Sequence, residues 1–427
     1  MSSICFNIKE LYEKFVQFPY ICKDTRAIIP NALFFCLKGE TFDGNLFVNE
    51  ALEKGAKYVI TDNKQIPKSD DIIVVNDVLQ TLQQLANYHR NQLQIPVIGI
   101  TGTNGKTTTK ELIATVLSKK YKTAFTQGNL NNHIGVPLTL LSIAKEDEIA
   151  VVEMGANHTG EIAELCQIVQ PDYGLITNIG KAHLEGFGSI ENIIETKTAL
   201  YHSAQIIFVN EEDKILRQKA ESRKQQTQEA EKRNNLIYYG SNGRIIAMTP
   251  CLQIELFGNK IQTQFIGNYN LPNILVAAAM GQYFGVATKD ICDAIAEYSP
   301  QNNRSQIVIN NTNTIIADYY NANPTSMKAA LINLLKIDAP QKIAILGDMM
   351  ELGENSLYEH KMIIDFCDAN HLTSFFIGEN FFALKNKNDH FFQNVNDCNN
   401  YFNYNKIENN MILLKGSRGV RLENILL

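Results

Sequence analysis

Six consecutive residues, Gly102-Thr-Asn-Gly-Lys-Thr107, have the types and the spacing needed to hold a phosphate group. The backbone N–H groups of such a turn point inward, and the helix that follows adds partial positive charge at its N-terminus. The Lys106 side chain can reach the outer phosphates, and the Thr107 hydroxyl can hold Mg²⁺. The match to the P-loop pattern is incomplete, because Ile100 stands where the upstream glycine is expected. The alternative is an ordinary glycine turn with an exposed lysine.

The residues around this turn predict the two elements that a phosphate site needs. Pro96–Ile100 is a short apolar segment that is typical of a buried strand. Thr107–Tyr121 follows with apolar residues at helical spacing along one side. A strand, a glycine-rich turn and a helix in this order favour a phosphate site over an ordinary turn.

Lys197 is the most informative single residue outside the turn. The segment Ser189–Tyr201 predicts a helix with Ser189 as its N-cap, and Lys197 shares a face with Ile193 and Ile194. A lysine on an apolar face is partly desolvated, which lowers its pKa and raises its neutral fraction. A neutral amine can react with CO₂ to form a carbamate, which is an anionic metal ligand. The alternative is a lysine that snorkels to the edge of the apolar stripe.

Two further residues suited to the site follow strands of the same predicted sheet. The chain predicts additional strands, several of them separated by helices, at 122–126, 149–153, 173–178 and 205–209. This alternation indicates a mostly parallel sheet, which binds ligands beyond the carboxyl ends of its strands. Glu153 stands at one such end and His183 follows another, so both are expected on the P-loop side.

Asn270 and Asn273 are three residues apart at the start of an apolar helix over 274–284. Their amides suit the edge of an adenine ring, which needs both a donor and an acceptor. N-capping of the helix is an equally good interpretation of the same two residues. The sequence also predicts a hairpin over 254–265 around Gly258-Asn259, and a charged, solvated helix or excursion over 211–234 to which we assign no function.

The last part of the chain again alternates strands and helices. Three polar sets stand where its strands should end, at 318–324, 347–353 and 415–418. Such sets at neighbouring strand ends suggest an edge that faces a ligand. No G-x-G-x-x-G occurs in the chain, so dinucleotide binding is unsupported.

These patterns together predict an α/β protein of three domains. We assign residues 1–92 to a small N-terminal α/β domain, with strands at 32–37 and 57–61 and a polar loop, Lys38–Asn45, between them. Residues 93–300 form the central P-loop domain with a mostly parallel sheet. Residues 301–427 form a C-terminal, Rossmann-like α/β domain.

Composition narrows the class of protein. Hydrophobic residues make up 45% and charged residues 20% of 427 positions, which is typical of a soluble globular protein. A net charge of −6 gives no general attraction to nucleic acid or anionic lipid. Eight scattered cysteines without a C-x-x-C pair suggest neither zinc nor a disulfide framework. With no signal peptide and no membrane-spanning run apparent, we expect a cytoplasmic protein without membrane insertion.

Several motifs together resemble the Mur ligases of bacterial cell-wall synthesis, over almost the whole chain. They are Thr101-Gly-Thr-Asn-Gly-Lys-Thr107, Asn129-Leu-Asn-Asn-His-Ile-Gly-Val-Pro137, Glu153-Met-Gly-Ala-Asn157, Ala182-His-Leu-Glu-Gly-Phe-Gly188, Tyr320-Asn-Ala-Asn-Pro324, Gly347-Asp-Met349 with Glu351-Leu-Gly353, and Lys415-Gly-Ser-Arg418. The first motif is shared by all Mur ligases and by folylpolyglutamate synthases. The Tyr-Asn-Ala-Asn-Pro and Glu-Leu-Gly sets point more narrowly to members that add D-Ala-D-Ala to UDP-N-acetylmuramoyl-tripeptide.

The resemblance implies an ATP- and Mg²⁺-dependent ligase of peptidoglycan synthesis, and hence a role in cell shape and division. It implies a UDP-sugar domain, an ATP domain and an amine-accepting domain, with an acyl phosphate attacked by the amine of D-Ala-D-Ala. Lys106, Lys197 and His183 are then catalytic, with Lys197 carbamylated. The implied metal surroundings are Thr107, Glu153, His183 and Lys197. The implied nucleotide contacts are Gly102, Thr103, Asn104, Gly105, Lys106, Thr107, Thr108, Asn270, Asn273, Arg304 and Asp318. The implied substrate contacts are Thr25, Lys38, Gly39, Asp43, Gly44, Asn132, His133, Asn321, Asn323, Lys415, Ser417 and Arg418.

The chain departs from the family pattern at two nucleotide contacts. Tyr269 stands where a histidine is common, and Ala317 replaces a frequent aspartate before Asp318. One alternative is a Mur-type or folylpolyglutamate-type ligase with another acceptor. The other is a P-loop switch protein that binds nucleotide and a partner without forming a bond, although a switch does not need Lys197 on an apolar stripe. We expect a monomer.

Overall fold

The computed structural model describes residues 7–67, 69–226, 235–248, 251–300, 303–310, 312–385 and 390–426. The strands, in chain order, are β1 Ile21–Cys22, β2 Leu33–Phe35, β3 Tyr58–Thr61, β4 Ile72–Val74, β5 Val97–Thr101, β6 Thr123–Phe125, β7 Ile149–Glu153, β8 Tyr173–Ile176, β9 Ile206–Asn210, β10 Leu236–Tyr239, β11 Gly243–Ala247, β12 Gln253–Leu256, β13 Asn259–Gln262, β14 Gln306–Asn310, β15 Asn313–Asp318, β16 Lys342–Gly347, β17 Thr373–Ile377, β18 Phe391–Phe392 and β19 Met411–Lys415.

The α-helices lie between these strands. They are α1 Ile8–Gln17, α2 Val48–Glu53, α3 Val78–Gln92, α4 Lys106–Leu117, α5 Gly135–Leu141, α6 Glu161–Val169, α7 Leu184–Phe187, α8 Ile190–Ser203, α9 Lys214–Gln226, α10 Leu271–Tyr283, α11 Thr288–Glu297, α12 Pro324–Lys336, α13 Ser356–Ala369, α14 Glu379–Ala383 and α15 Val395–Tyr404. No helix of the described residues combines the length and the apolar character that crossing a membrane requires.

The N-terminal sheet is small and parallel, with strand order β1-β2-β3-β4. Leu33, Phe34 and Phe35 of β2 are all buried, so both faces of this central strand are covered. Helices α1 and α3 pack on one side, and α3 leads directly into the strand before the P-loop.

The central sheet has six parallel strands in the order β10-β9-β8-β5-β7-β6. The strand before the P-loop, β5, lies between β8 and β7, and its five residues are all buried. Ile100 is paired with Glu153 of β7, and Thr101 is paired with Ile176 of β8. The ends of three adjacent strands therefore meet at the edge from which the P-loop starts.

Two details differ from the sequence prediction in the central domain. Strand β8 ends at Ile176 and not at Asn178, because Thr177 and Asn178 turn to contact the P-loop. The hairpin turn lies at Phe257-Gly258 and not at Gly258-Asn259, since Asn259 already pairs with Leu256. Both turn residues have positive φ, +51° and +77°, as a two-residue hairpin loop prefers.

The charged stretch after β9 begins as the helix α9, which buries Leu216 and Ala220. One side of this segment is therefore packed and not solvated. Residues 227–234 of the stretch lie outside the described part of the chain.

The C-terminal sheet has the order β14-β15-β19-β16-β17-β18, with β14 antiparallel and the other strands parallel. Strands β15, β19 and β16 are neighbours, and Lys415 of β19 pairs with Asp318 on one side and Leu346 on the other. The three polar sets thus follow adjacent strand ends, as the sequence predicted. Strand β14 escaped prediction because it is a half-exposed edge strand, and β18 has only two residues.

Candidate active site

A cleft of about 1010 Å³ lies between the P-loop edge of the central sheet and the polar edge of the C-terminal sheet. Most of the residues singled out from the sequence line it. They are Thr103, Asn104, Gly105, Lys106, Thr107, Thr108, Asn132, His133, Glu153, His183, Asn270, Asn273, Arg304, Asp318, Asn321, Asn323 and Lys415. Gly102, Lys197, Ser417 and Arg418 lie outside this lining, as do the five residues singled out in the N-terminal domain.

The P-loop is held open by contacts with the residues that follow β8. The Thr103 N–H donates to the Asn178 carbonyl at 2.9 Å, and the Asn104 N–H donates to Asn178 Oδ1 at 3.0 Å. Gly105 adopts a φ of +78° and caps α4, a conformation that suits glycine. Because β5 continues through Ile100 and Thr101, the loop starts only at Gly102, which explains the absent upstream glycine.

The Lys106 side chain folds back over the loop. Its Nζ donates to the carbonyls of Gly102, at 2.9 Å, and Thr103, at 3.2 Å. Burial lowers the pKa of Lys106 below its usual value, and the charge of Arg304 lowers it further, while Glu153 acts in the opposite direction. The Lys106 Nζ thus lies against the backbone of the loop, and an anionic ligand bound there would favour its charged form.

Glu153 and Thr107 form the centre of a candidate metal site. Glu153 is 1% exposed, and its Oε1 accepts hydrogen bonds from Thr107 Oγ1, at 3.1 Å, and from Asn131 Nδ2, at 2.8 Å. Its other oxygen, Oε2, is buried without a hydrogen-bond partner. A buried carboxylate oxygen without a partner costs free energy unless a cation or a donor binds it. These oxygen ligands fit Mg²⁺.

His183 lines the same cleft and has a left-handed backbone conformation, with φ of +50°. Its Nδ1 contacts the Glu351 carboxylate of the C-terminal domain. No three His, Cys, Asp or Glu side chains come together around a possible metal position among the described residues. A metal ion bound here would therefore take further ligands of another kind, such as the Thr107 hydroxyl, water or phosphate oxygens.

Lys197 is buried under this region and is 2% exposed, so the snorkelling interpretation is wrong. Its helix starts as predicted, with Ser189 Oγ accepting from the Asn192 N–H at 3.2 Å. The Lys197 Nζ lies over the Phe187 ring, 5.6 Å from its centre, and forms no hydrogen bond within the described residues. Burial, with a smaller contribution from the charge of Lys106, lowers the pKa of Lys197 to about 7. Much of this amine is therefore neutral near pH 7.

Asn270 and Asn273 are buried at the start of α10 and both line the cleft. Neither caps the helix through its side chain: Asn270 Nδ2 donates to the Ile266 carbonyl at 2.8 Å, and Asn273 Nδ2 donates to Asn270 Oδ1 at 3.0 Å. The N-capping interpretation is therefore wrong. The two linked amides are fixed beside Gly105, where a purine edge can meet them.

Arg304 and Asp318 face the cleft from the C-terminal domain. The Arg304 guanidinium stacks on the Tyr320 ring at 3.9 Å, and its Nε is buried without a partner. Asp318 Oδ2 pairs with Lys415 Nζ at 2.6 Å. Tyr269, in place of the family's histidine, contacts Ser305 Oγ through its hydroxyl at 2.9 Å. The tyrosine therefore links the central domain to the residue that follows Arg304.

The remaining candidates of the C-terminal domain have structural contacts. Asn321 accepts a hydrogen bond from the Ala322 N–H at 2.8 Å, and Ser417 Oγ accepts one from the Met350 N–H at 3.0 Å. Arg418 is exposed, 5.8 Å from the centre of the Tyr320 ring. The structure thus brings Asn321 to the cleft, whereas Ser417 and Arg418 are not among the residues that line it.

The N-terminal candidates form a separate group around the loop after β2. A bridge joins Lys38 to Asp43, and Lys38 also pairs with Asp62 at 2.9 Å. The Gly39 N–H donates to the Phe42 carbonyl, and Gly44 packs so closely on Cys36 and Leu37 that a Cβ would collide with backbone. Thr25 is apart from this loop, and its carbonyl accepts from Lys54 Nζ at 3.2 Å.

In the central domain, Asn132 and His133 lie at the start of α5 on the cleft wall. Asn132 Oδ1 accepts from the Gly135 N–H at 2.8 Å, and the His133 carbonyl accepts from Gln83 Nε2 at 3.0 Å. Sequence reasoning missed two residues nearby. Asn131 contacts Glu153, and Asn178 shapes the P-loop. Asn131 stands within the motif over 129–137, and Asn178 stands at the end of the predicted strand over 173–178. These positions in the sequence are the signal that could have identified them.

The fold and the cleft define a P-loop nucleotide-binding protein of three α/β domains, in which the phosphate site faces the polar edge of a second sheet. Comparison with protein families agrees along the chain. Residues 20–99 match the model described as Mur ligase family, catalytic domain, residues 100–281 the Mur ligase middle domain, and residues 303–418 the Mur ligase, glutamate ligase domain. The chain belongs to the Mur ligase family.

Individual relatives are similar over nearly their full length. The chain is 35% identical to UDP-N-acetylmuramoyl-tripeptide–D-alanyl-D-alanine ligase of Bacillus subtilis, over 95% of this chain and 92% of the relative. It is 32% identical to the protein of that name from Rickettsia prowazekii, over 92% of this chain and 91% of the relative. A crystal structure of MurF from Acinetobacter baumannii is 30% identical, with a TM-score of 0.82 over 95% of this chain and 91% of that one. MurF ligase from Thermotoga maritima in complex with ADP is 26% identical, with a TM-score of 0.82 over 95% of each chain.

Proposed function

We propose that this protein joins D-Ala-D-Ala to UDP-N-acetylmuramoyl-tripeptide, with conversion of ATP to ADP and phosphate, in peptidoglycan precursor synthesis. The observation that carries the proposal is the single cleft in which the P-loop, the buried Glu153 carboxylate and the Arg304 side chain of another domain face one another. The names of the relatives similar over more than nine tenths of this chain support the choice of substrates.

We infer the following course for the reaction. A terminal carboxylate oxygen of the tripeptide attacks the γ-phosphorus of ATP, and ADP leaves. The amine of D-Ala-D-Ala then attacks the acyl carbon, and phosphate leaves from the tetrahedral intermediate as the amide forms. Lys106 neutralises charge that develops on the transferring phosphoryl group. Closure of the domains over the bound substrates would exclude water, which would otherwise hydrolyse the acyl phosphate.

Thr107, Glu153 and His183 are the residues that we propose hold Mg²⁺. The orphaned Glu153 Oε2 supports this, because a cation gives that buried oxygen a partner. When bound, Mg²⁺ supplies positive charge that offsets the charge on phosphate oxygens.

Lys197 is proposed to act as a carbamate. The neutral amine attacks the carbon of CO₂, one N–C bond forms, and a proton is lost to solvent. The side chain thereby changes from a buried cation to a longer anion, suited to the metal surroundings. Its burial without a hydrogen-bond partner and its pKa of about 7 support this step.

For the nucleotide, we propose that the two amides of Asn270 and Asn273 contact adenine, while Arg304 and Asp318 reach it from the C-terminal domain. The N-terminal loop over 38–44, together with Thr25, is proposed to bind the UDP-sugar. The domain boundaries 1–92, 93–300 and 301–427, a monomeric state and a cytoplasmic location belong to the same proposal.

Phosphate release tests the assignment. With purified protein, release is expected only when ATP, Mg²⁺, UDP-N-acetylmuramoyl-tripeptide and D-Ala-D-Ala are all present. Omission of each component in turn is the control. Equal turnover with a single amino acid, or with a folate and glutamate, would contradict the substrate assignment. Nucleotide binding without any amide product would favour the P-loop switch.

A further inference from the structure

We propose that Glu351 of the C-terminal domain is a positioning residue for His183, holding its imidazole through Nδ1 and leaving Nε2 for the cleft. The docking of the C-terminal domain would then complete the metal surroundings of the central domain. The inference rests on the ligase function proposed above, but the contact that carries it involves only residues of this chain. None of the roles described so far uses Glu351.

The His183 ring is held from its own side by a short helix. The His183 carbonyl accepts hydrogen bonds from the N–H groups of Gly186, at 3.1 Å, and Phe187, at 3.0 Å. The Phe187 ring lies edge-on to the imidazole, with 6.5 Å between the ring centres. The buried imidazole Nδ1 lies in contact with the Glu351 carboxylate, outside the geometry of a regular hydrogen bond, and Nε2 has no hydrogen-bond partner among the described residues. One nitrogen thus faces the carboxylate across the domain boundary, and the other is available.

The backbone of Glu351 is fixed by contacts on the C-terminal side of the domain boundary. Its carbonyl accepts from the Glu185 N–H at 3.4 Å, and the next residue, Leu352, is buried in the core of the C-terminal domain. Gly353 lies against Glu185. The Glu351 side chain therefore reaches the imidazole from a fixed backbone position.

Both members of the pair have a backbone conformation that L-residues avoid. His183 has φ of +50° and Glu351 has φ of +62°. Such a conformation costs about 1–3 kcal/mol for each residue, and it persists where neighbouring contacts impose it. Left-handed residues that are not glycine concentrate at functional sites. Two of them that face each other across a domain boundary, beside a nucleotide cleft, indicate a contact with a role beyond packing.

Other contacts set the position in which Glu351 arrives. Lys181, two residues before His183, pairs with Glu359 of α13 at 2.8 Å, and its N–H donates to Thr325 Oγ1 at 3.2 Å. The Glu359 side chain is 9% exposed, so the ion pair is well shielded on one side. The segment between β8 and α7 is therefore attached to the C-terminal domain at several points. The contact between the His183 imidazole and Glu351 therefore depends on how the C-terminal domain docks on the central domain.

The chemistry of the pair suits the orientation of a metal ligand. A histidine that binds a metal through one nitrogen commonly donates its other N–H to a carboxylate, which fixes the tautomer and the ring direction. The Glu351 carboxylate beside His183 Nδ1 is a group of this kind. A simple surface ion pair is the alternative, and it predicts no effect on the tautomer.

The tautomer of His183 tests the proposal in metal-free, full-length protein. Protein labelled with ¹⁵N-histidine is examined by NMR at a pH high enough for imidazoles to be neutral. The His183→Gln variant identifies the signal of His183. The wild-type protein should carry its proton on Nδ1. Glu351→Ala should lose this preference, whereas Glu351→Gln should keep it because the amide oxygen still accepts. Glu354→Ala, at an exposed acid in the same segment, is the matched control.

Mn²⁺ binding in the presence of ADP, followed by electron paramagnetic resonance, is the second measurement. Glu351→Ala should weaken Mn²⁺ binding by about 10- to 100-fold, and Glu354→Ala should not change it. Because the Glu351 side chain is 51% exposed, the substitution should leave the fold intact, which thermal denaturation checks.

An unchanged tautomer in Glu351→Ala would overturn the proposal, and so would an altered tautomer with unchanged Mn²⁺ affinity. The result is separable from that of the proposed function. If the tautomer and the Mn²⁺ affinity respond as expected but no amide forms from the proposed substrates, the positioning role stands and the ligase assignment fails.

Discussion

Asn323 Nδ2 donates a 2.8 Å hydrogen bond to Asn104 Oδ1, which joins the first residue before α12 directly to the P-loop. Asn323 also caps α12, because its Oδ1 accepts from the Ser326 N–H at 2.9 Å. Asn104 is in turn held by Asn178, so one side chain of the C-terminal domain is connected to the whole phosphate-binding loop. The position of that domain and the shape of the loop are therefore coupled.

Asn323→Ser should loosen this coupling without unfolding α12. Serine caps helices well but is too short to reach Asn104. The docked arrangement should lose about 0.5–1.5 kcal/mol, and the radius of gyration by small-angle scattering should increase in the protein without ligand. An ATP analogue with UDP-substrate should restore compaction. Asn370→Ser, which removes an exposed amide within the C-terminal domain, is the control. An unchanged radius in Asn323→Ser would argue against the coupling.

Lys197→Ala should lower ligation by at least about two orders of magnitude while the protein stays folded. If the carbamate is the active form, short-chain carboxylic acids should partly restore activity by filling the vacated anionic position. Lys197→Arg should stay inactive, because a guanidinium forms no carbamate. Activity in Lys197→Arg, with no rescue of Lys197→Ala by acids, would show that the positive charge is what matters.

Lys197 should also make stability depend on pH in a defined direction. Its pKa is about 7 in the folded chain against an ordinary 10.5, so the unfolded chain binds more protons between these values. The free energy of unfolding should therefore rise with pH through this window. Below pH 7 the folded chain should bear the full cost of burying the charged amine.

Lys197→Met removes that penalty. The variant should be more stable than the wild type at pH 7, by on the order of 4 kcal/mol, and the difference should shrink towards pH 10. Urea denaturation in CO₂-free buffer at the two pH values measures it, with the exposed Lys260→Met as control. If the stability difference between Lys197→Met and the wild type were the same at both pH values, it would contradict the burial of a lysine with a lowered pKa.

Gly105→Ala should weaken ADP binding more than it weakens the fold. An added Cβ would strain the φ of +78° and approach Asn273 Oδ1 to 3.0 Å. Gly128→Ala carries the strain of a φ of +53° without any close neighbour, so it is the matched control. Calorimetric titration with ADP should show at least a tenfold higher Kd for Gly105→Ala, equal to about 1.4 kcal/mol, and little change for Gly128→Ala.

The sequence by itself determined the elements and the local chemistry. A short apolar run predicted β5, and helical spacing of apolar residues predicted α4 and α8, each to within a few residues. These predictions succeed because the burial of each element is recorded in its own local sequence. The same local patterns predicted the P-loop, the position of Glu153 at a strand end, and the apolar helix face that carries Lys197. Strand β14, at the edge of its sheet, escaped prediction because none of its own five residues is buried, so no regular apolar pattern marks it.

Only the tertiary structure decided which distant residues meet. Asn323 and Asn104 are 219 positions apart, and no local pattern records that contact. The meeting of His183 with Glu351 likewise depends on how two domains dock. Whether Lys197 snorkels or is buried was open in the sequence, because an apolar helix face does not say what covers it. The packing of α8 under the cleft excludes water from this amine, and the resulting desolvation is the physical reason for its low pKa.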